Sequence, residues 1–350
     1  MNREYRRAIR SILHAPTNLS IEWIHLPVRN GGLGMPNPLE QVYKEKVKIR
    51  KRLADTSDGN VRFVVTEGLW GHDVDVLERH LISSRGLDPI AAAPSLHRFS
   101  WERWRKTVQG RGADSFTRQR SNGWIRGGHL WPSSGRDFVD IVKLRTQTLP
   151  CGESMVRGRG KVIPVCRHCG DSSATLMHVL QKCPFTMRLR MKRHNRVLQV
   201  VRRNLKKAGC AVYSEPRVLG RNDVVLRPDL CAKGIGGGAL VLDAHIPYEL
   251  GSPSQLEAAR SAKAAKYAAH RDGFRRYLGV ENIRFDGVVV GARGAIAPPM
   301  VASLKGLGLS DNEIRLMQVR AVEGTLSIFR SFMAEKRRLN RPVRSGLGGR

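Results

Sequence analysis

Three cysteines and one histidine form the most restrictive pattern in this 350-residue chain. Cys166 and Cys169 are separated by two residues, and His178 and Cys183 follow closely. Three thiolates and one imidazole at this spacing favour a closed, tetrahedral, structural zinc site. His168, which lies between the first two cysteines, is an alternative ligand, and a phosphate contact is another role for it. Cysteines buried in a core without metal are the remaining interpretation.

Two aspartates lie in apolar stretches downstream of this cluster. Asp229 follows one predicted strand, Val224–Leu226, and Asp243 lies inside another, Ala239–Ala244. Asp229 could be a turn residue and Asp243 could pair with an arginine, since an unpaired buried carboxylate is costly. Carboxylates that hold magnesium activate water and polarise a phosphoryl oxygen, which is the chemistry of phosphodiester hydrolysis. The pair is therefore a candidate metal site.

Lysines follow the acids on a predicted helix that begins at Ser254, where Glu257 completes a capping box. Lys263 and Tyr267 share a face of this helix, and Lys266 lies one turn from Lys263. A lysine beside the acids would stabilise negative charge at phosphorus. Either lysine alone could be a solvated charge, but the joint pattern predicts a metal-dependent phosphodiesterase.

The charge of the chain indicates a polyanionic partner. The chain has 61 Lys plus Arg against 30 Asp plus Glu, a net charge of +31, for which phosphate backbones are the usual counterpart. No apolar run approaches the roughly 18 to 20 residues of a membrane span. The charged amino terminus has no apolar signal segment behind it, which favours a soluble intracellular protein.

One basic amphipathic helix, 186–207, supplies most of the candidate nucleic-acid contacts. Spacing predicts one helix face from Met187, Met191, His194, Leu198, Val201 and Leu205. The candidate contacts are the basic residues of the other positions, together with two that precede the cysteine cluster: Arg188, Arg190, Lys192, Arg193, Arg196, Arg202, Arg203, Lys206, Lys207, Lys143 and Arg145.

The order of elements after the basic helix predicts an α/β fold with a mixed sheet flanked by helices. Residues 211–336 contain the two strands, a helix from Ser254 to about Leu278, a strand pair and a helix from Ser310 to about 336. The strand pair is Ile283–Phe285 and Val288–Val290.

The rest of the chain divides by composition into further segments. The cysteine cluster occupies 151–185, the basic helix 186–210, and a mainly helical basic region 1–55, with a predicted helix at Leu39–Leu53. Residues 56–150 form a basic linker region, and 337–350 a basic tail predicted to be disordered. The linker contains tryptophans that favour core or anchor positions over base stacking: Trp101, Trp104, Trp124 and Trp131.

These motifs together resemble one protein family. Arg227-Pro228-Asp229, Asp243, and Lys263 with Tyr267 resemble the restriction-like endonuclease of type-1 non-LTR retrotransposable elements, which insert into large-subunit ribosomal RNA genes of arthropods. A cysteine-histidine knuckle precedes the endonuclease in that family. Leu144 to Pro150 looks like its nucleic-acid-binding motif, and Leu26-Pro27 with Gly31 to Gly34 looks like the segment behind the polymerase thumb.

The resemblance implies a fold and a reaction. The fold would be restriction-endonuclease-like, with Asp229 and Asp243 binding magnesium, Lys263 as the catalytic lysine, Lys266 as its competitor and Tyr267 in support. In restriction enzymes the catalytic lysine lies in the strand, two residues after the second acid. Here the lysine lies on a helix, and His245, which occupies that place in the strand, could share its role. The endonuclease would nick double-stranded target DNA in the nucleus, within ribosomal RNA genes, so that the element RNA is copied from the freed end.

The family polyprotein also carries a reverse transcriptase, an RNA-directed DNA polymerase and therefore a nucleotidyltransferase. Its paired-aspartate signature does not occur in this sequence, so the chain is interpreted as the carboxy-terminal part of a longer polyprotein. Two alternatives stay open: a non-catalytic, zinc-stabilised nucleic-acid-binding module, and a stand-alone site-specific nuclease.

Overall fold

The computed structural model describes residues 2–15, 17, 19–67, 100–117, 122, 134–157, 159, 162–252 and 254–339. The chain divides into two compact units, Met1–Gly110 and Arg111–Arg350. Trp124, Trp131 and the tail from residue 340 onward lie outside the described residues. None of the described helices is long and apolar enough to cross a membrane.

The first unit is helical where it is described. Its helices are α1 (Asn2–Ile12), α2 (Ile21–His25), α3 (Pro38–Ala54) and α4 (Gly59–Glu67), and residues 100–105 are also helical. α3 confirms the helix predicted at Leu39–Leu53. Trp104 is buried, which agrees with a core position.

The segment Leu26 to Gly34 is a turn folded tightly back on itself. The Gly34 amide donates to the Leu26 carbonyl at 2.8 Å, and the Trp23 indole donates to the Gly31 carbonyl at 2.9 Å. A Cβ on Gly32 would lie 2.3 Å from the Leu26 carbonyl oxygen, so this position requires glycine.

The second unit contains seven further α-helices in its described residues. They are α5 (Gly135–Arg145), α6 (Gly152–Val156), α7 (Met187–Lys207), α8 (Ser254–Ala268), α9 (Arg271–Leu278), α10 (Pro298–Gly306) and α11 (Asp311–Leu339). The Ser310–Glu313 capping box that begins α11 is confirmed by the hydrogen bonds between these two residues. The helix predicted from Ser254 to Leu278 is interrupted at 269–270 and is therefore two helices.

Six strands form two sheets among the described residues of this unit. They are β1 (Ala211–Ser214), β2 (Val218–Leu219), β3 (Val225–Leu226), β4 (Leu230–Ile235), β5 (Gly238–His245) and β6 (Ile283–Val289). The larger sheet has the order β1-β4-β5-β6, in which only β5 and β6 are parallel. β2 and β3 form a separate antiparallel hairpin.

The strand predictions need three corrections. The partner of β5 in its hairpin is β4, which was missed because Gly234 and Gly236 made its end resemble a turn. The predicted strand at Val224–Leu226 belongs to the small hairpin instead of the main sheet. The predicted pair after α9 is one strand, β6, which continues through Asp286 and Gly287.

Helices cover both faces of the main sheet, as predicted. On one face α7 and α11 pack over a cluster that includes Leu240 and Leu242, and this cluster also takes in Cys166 and Cys183. On the other face α8 and α9 pack over a second buried cluster, which includes Val241. The cysteine cluster, the basic helix and the α/β segment therefore share one core.

Candidate functional site

The cysteine-histidine cluster converges in space. The ligand atoms of Cys166, Cys169, His178 and Cys183 all lie within 4.8 Å of one another. The Sγ atoms of Cys166 and Cys183 are 3.8 Å apart, and Cys169 Sγ is 3.4 Å from His178 Nε2. A tetrahedral zinc ion with Zn–S bonds of about 2.3 Å requires S···S edges of about 3.8 Å. The cluster can therefore bind a metal ion such as zinc.

Backbone hydrogen bonds shape this cluster. The Cys166 amide donates to the Ser172 carbonyl at 2.7 Å, and the Gly170 amide donates to the Cys166 carbonyl at 2.8 Å. Gly170 has a φ of +75°, which only glycine adopts readily. The Cys183 amide donates to the His178 carbonyl at 2.9 Å, which fixes the second half of the cluster.

His168 lies outside the cluster. Its ring stacks on Phe185 with a centroid distance of 3.9 Å, and its Nε2 is 3.2 Å from the Phe332 carbonyl oxygen. Its position is explained by aromatic packing against α11.

Asp229 and Asp243 meet at one end of the main sheet. Asp229 immediately precedes β4, and Asp243 lies near the carboxyl end of β5, the antiparallel neighbour of β4. Leu230 is paired with Leu242, which brings the two carboxyl groups together. The Ala244 amide donates to Asp229 Oδ2 at 2.6 Å.

The pKa values of the two carboxyl groups move in opposite directions. Burial alone would raise the pKa of Asp229, but hydrogen bonds with His194, Asp243 and Ala244 lower it to about 2. Burial and the neighbouring Asp229 carboxylate raise the pKa of Asp243, although Lys263 acts in the opposite direction. Two carboxyl groups this close favour a shared proton or a cation between them.

Lys263 reaches the acid pair from α8. Its Nζ lies 2.9 Å from Asp243 Oδ2, so the partner of Asp243 is this lysine and not an arginine. Gly287, opposite Asp243 in β6, makes this approach possible. A Cβ on Gly287 would lie 2.6 Å from the Arg260 carbonyl oxygen and 3.0 Å from Lys263 Cβ.

The other two residues predicted on α8 contact each other. Lys266 is exposed, and its Nζ donates to the Tyr267 hydroxyl at 3.2 Å. Tyr267 is buried, and its hydroxyl donates to the Arg227 carbonyl at 3.1 Å. Burial and the nearby Asp243 raise the pKa of Tyr267. His245 is exposed at the end of β5. Of the predicted cations, Lys263 is the one that contacts Asp243.

His194 joins this site although the sequence patterns did not identify it. Its Nε2 is 3.1 Å from Asp229 Oδ2, and although burial lowers the pKa of His194, the contact with Asp229 raises it overall. The predicted apolar face of α7 was wrong at its start, because Met187 and Met191 are exposed. The only sign of this role in the sequence is that His194 is a polar residue within an otherwise apolar series.

A groove of about 600 Å³ lies along α7 and reaches Asp229. Four cations of α7 line it: Arg188, Lys192, Arg196 and Arg202. Met191 and Leu198 give the same groove an apolar part. The groove therefore combines positive charge with apolar surface next to the acid pair.

Most of the basic residues predicted on α7 are accessible. The exposed ones are Arg188, Lys192, Arg202, Arg203, Lys206 and Lys207. Arg190 donates to the Gln181 and Cys183 carbonyls and so ties α7 to the cysteine cluster. Arg196 pairs with Glu323 at 2.7 Å, and Lys143 is half-buried on α5.

Arg193 and Arg145 differ from their prediction as nucleic-acid contacts. Arg193 is 3% exposed and donates to Thr325 Oγ1 at 2.9 Å. Arg145 is 2% exposed and donates to the Arg293 carbonyl at 2.7 Å. Both side chains belong to the core, because they are buried and donate to protein groups, including Asn122 for Arg145 and Gln181 for Arg193.

The chain is similar in sequence to known proteins. No family model matches it. The retrovirus-related Pol polyprotein of the type-2 retrotransposable element R2DM of Drosophila melanogaster is 25% identical over 349 residues, which cover 94% of this chain and 31% of that protein. A Pol polyprotein of the type-1 element R2 of Popillia japonica is 27% identical over 346 residues, which cover 95% of this chain and 67% of that protein.

A third relative agrees with these two. The Pol polyprotein of the type-1 element R2 of Nasonia vitripennis is 24% identical over 335 residues. These residues cover 93% of this chain, and the chain spans only 31% of that relative. Over most of its length, the chain is therefore related by sequence to the Pol polyproteins of R2 retrotransposable elements, the kind of protein that its motifs resemble.

Proposed function

We propose that this chain is the endonuclease and nucleic-acid-binding part of a retrotransposon polyprotein. One observation carries the proposal: Asp229 just before β4, Asp243 on β5 and Lys263 on α8 converge beside the cationic groove of α7. The substrate would be double-stranded target DNA, in the nucleus. The domain that contains this site would have a restriction-endonuclease-like fold, which its mixed sheet supports.

The acid pair would hold the catalytic divalent metal, with magnesium as the physiological ion. Such an ion supplies an activated water and polarises the scissile phosphate. The residues fit it, because two adjacent carboxylates at one end of the central strands offer hard oxygen ligands. Lys263 would hold Asp243 ionised and add positive charge beside the phosphate. Tyr267 would brace the backbone that carries Asp229.

The rest of the chain would hold nucleic acid. The exposed cations of α7 suit phosphate contacts with the target DNA or with the element RNA. Zinc in the cysteine cluster would fix the amino-terminal end of α7, because Cys183 lies just before this helix. A reverse transcriptase in the full-length polyprotein would extend the nicked end.

Substitution of either aspartate tests the proposal. Asp229→Asn and Asp243→Asn are each expected to lower magnesium-dependent nicking of supercoiled DNA at least a hundredfold, because the metal loses a charged ligand. DNA binding should change by less than about twofold, since the groove cations remain. Nicking is measured as conversion of supercoiled to open-circular DNA, and binding as fluorescence anisotropy.

The matched control is Asp272→Asn, an exposed acid that pairs with Arg221 and Arg275 away from the site. This variant should nick like the wild type. A wild-type chain that binds DNA but shows no metal-dependent nicking would instead favour the non-catalytic binding module. Aspartate variants that nick normally would show that the acid pair is not the catalytic site.

Removing groove cations should weaken nucleic-acid binding and its salt dependence. Each phosphate contact contributes about 0.9 to the slope of log K against log salt. We therefore expect the triple variant Arg188→Gln, Lys192→Gln, Arg202→Gln to reduce the slope by about two to three. The slope is obtained from anisotropy titrations over a series of salt concentrations.

A comparison variant with the same charge change tests whether the groove, and not the whole of α7, binds nucleic acid. Arg203, Lys206 and Lys207 are exposed on α7 but do not line the groove. Their replacement by glutamine should reduce the slope by less than the groove variant does. Equal slopes for the wild type and the groove variant would show that nucleic acid binds elsewhere.

A further inference from the structure

His194 links the cationic helix to the acid pair. The residue lies on α7, and its half-buried imidazole has Nε2 3.1 Å from Asp229 Oδ2. The Ala244 amide donates to the same oxygen at 2.6 Å. A carboxylate oxygen has two lone-pair positions, and here two donors from different elements occupy them.

This arrangement orients the Asp229 carboxylate. With Oδ2 held by His194 and Ala244, Oδ1 is the oxygen left to bind a cation shared with Asp243. Lys263 holds Oδ2 of Asp243 in a similar way at 2.9 Å. Each acid is thus fixed by a donor outside the pair, and fixed second partners of this kind determine how well ligands hold a metal.

The neighbours of His194 on α7 line the groove that reaches Asp229. Lys192, Asn195 and Arg196 all line the groove, and Nδ1 of His194 is 3.1 Å from Asn195 Oδ1. The same turn of α7 therefore presents cations to a bound strand and a hydrogen-bond donor to Asp229.

We propose that His194 is a positioning residue of the nuclease, which orients Asp229 for metal binding from the helix that binds the substrate. This inference rests on the proposed function, since it assumes that Asp229 is a metal ligand. It assigns α7 a role in the catalytic centre as well as in binding.

Substitution of His194 in the full chain tests this role. His194→Leu should lower kcat for nicking about tenfold and raise the magnesium concentration for half-maximal rate about tenfold, as loss of an outer-shell partner does. KM for DNA should stay unchanged. His194→Gln, whose amide nitrogen can replace Nε2, should recover most of both losses, whereas the shorter His194→Asn should not.

A second readout does not depend on activity. Binding of Mn²⁺ to the protein without DNA, measured by calorimetry, should weaken in His194→Leu and recover in His194→Gln. Gln199→Leu is the control, because Gln199 is exposed and lines the same groove on α7. Thermal melts of every variant establish that the fold is retained.

The outcomes separate this inference from the proposed function. If the aspartate variants lose nicking and Mn²⁺ binding while His194→Leu matches the wild type in both, the positioning role is wrong and the nuclease stands. If His194→Leu raises KM and leaves kcat and Mn²⁺ binding unchanged, His194 contacts only the substrate and the inference fails. If the wild type neither nicks DNA nor binds Mn²⁺, the proposed function fails and this inference fails with it.

Discussion

Loss of the metal from the cysteine cluster should unfold the core around it. We expect Cys183→Ser to lose one equivalent of zinc per chain and to melt at least 10 °C lower, roughly, because structural zinc contributes folding free energy directly. Cys183 and Cys166 are fully buried and belong to the same hydrophobic cluster as α7 and α11. Without a metal, polar sulfur atoms and an imidazole would remain in that core with few partners.

The measurement combines metal analysis with thermal melting followed by circular dichroism. Chelation of the wild-type protein should reproduce the loss of stability. Cys210→Ser is the matched control, because Cys210 is a half-buried cysteine outside the cluster. It should retain both metal and melting temperature. Equal metal content and equal melting in the two variants would show that the cluster is an ordinary apolar contact.

Glu249→Gln should lower the free energy of unfolding by about 3 to 5 kcal/mol, the usual cost of breaking a buried ion pair. The Glu249 carboxylate is 0% exposed and accepts hydrogen bonds from the Arg293 and Ala295 amides at 2.9–3.1 Å. Its Oε2 lies 3.7 Å from Arg293 Nε. In glutamine an NH2 group replaces one of the two carboxylate oxygens. This group is a hydrogen-bond donor, and it would face the backbone N–H donors.

A second buried cation makes this loss larger than that of an isolated pair. Burial lowers the pKa of Arg145 to about 9, and Glu249 acts in the opposite direction. Arg145 and Arg293 donate to each other's backbone carbonyls, so both guanidinium groups depend on one carboxylate for charge balance.

Chemical denaturation followed by circular dichroism gives the free energy of unfolding. Asp272→Asn again serves as the control, since its partners are exposed and such pairs contribute at most about 1 kcal/mol. A loss of stability for Glu249→Gln no greater than that of the control would show that the buried network is not held by charge.

The sequence predicted those parts of the site whose partners are close along the chain. The cysteine cluster depends on the spacing of four residues and on one glycine turn, and local geometry determines both. The acids were recognisable because an aspartate in an apolar strand requires a partner. The family resemblance named Lys263 and left Lys266 as its competitor, and the structure brings Lys263 to Asp243.

The residues that the sequence did not predict depend on distant partners. Arg145 and Arg193 look like surface cations by composition, yet their partners are Arg293 and Thr325. His194 looked like a core residue because it continues an apolar spacing. β4 was missed since its glycines favour a turn, although pairing with β5 holds it extended. At each of these positions, contacts with residues distant in sequence outweigh what the local sequence favours.

The continuity of α7 has a consequence for how such chains can change over evolutionary time. One rigid helix begins at Met187, next to the cysteine cluster, and carries His194 to Asp229. Each inserted residue would rotate everything downstream by about 100° around the helix axis. A single insertion or deletion between Cys183 and His194 would therefore turn the imidazole away from the acid, even if every helical hydrogen bond survived. Substitutions along this stretch keep the angle between the cysteine cluster and the imidazole, whereas changes of length alter it.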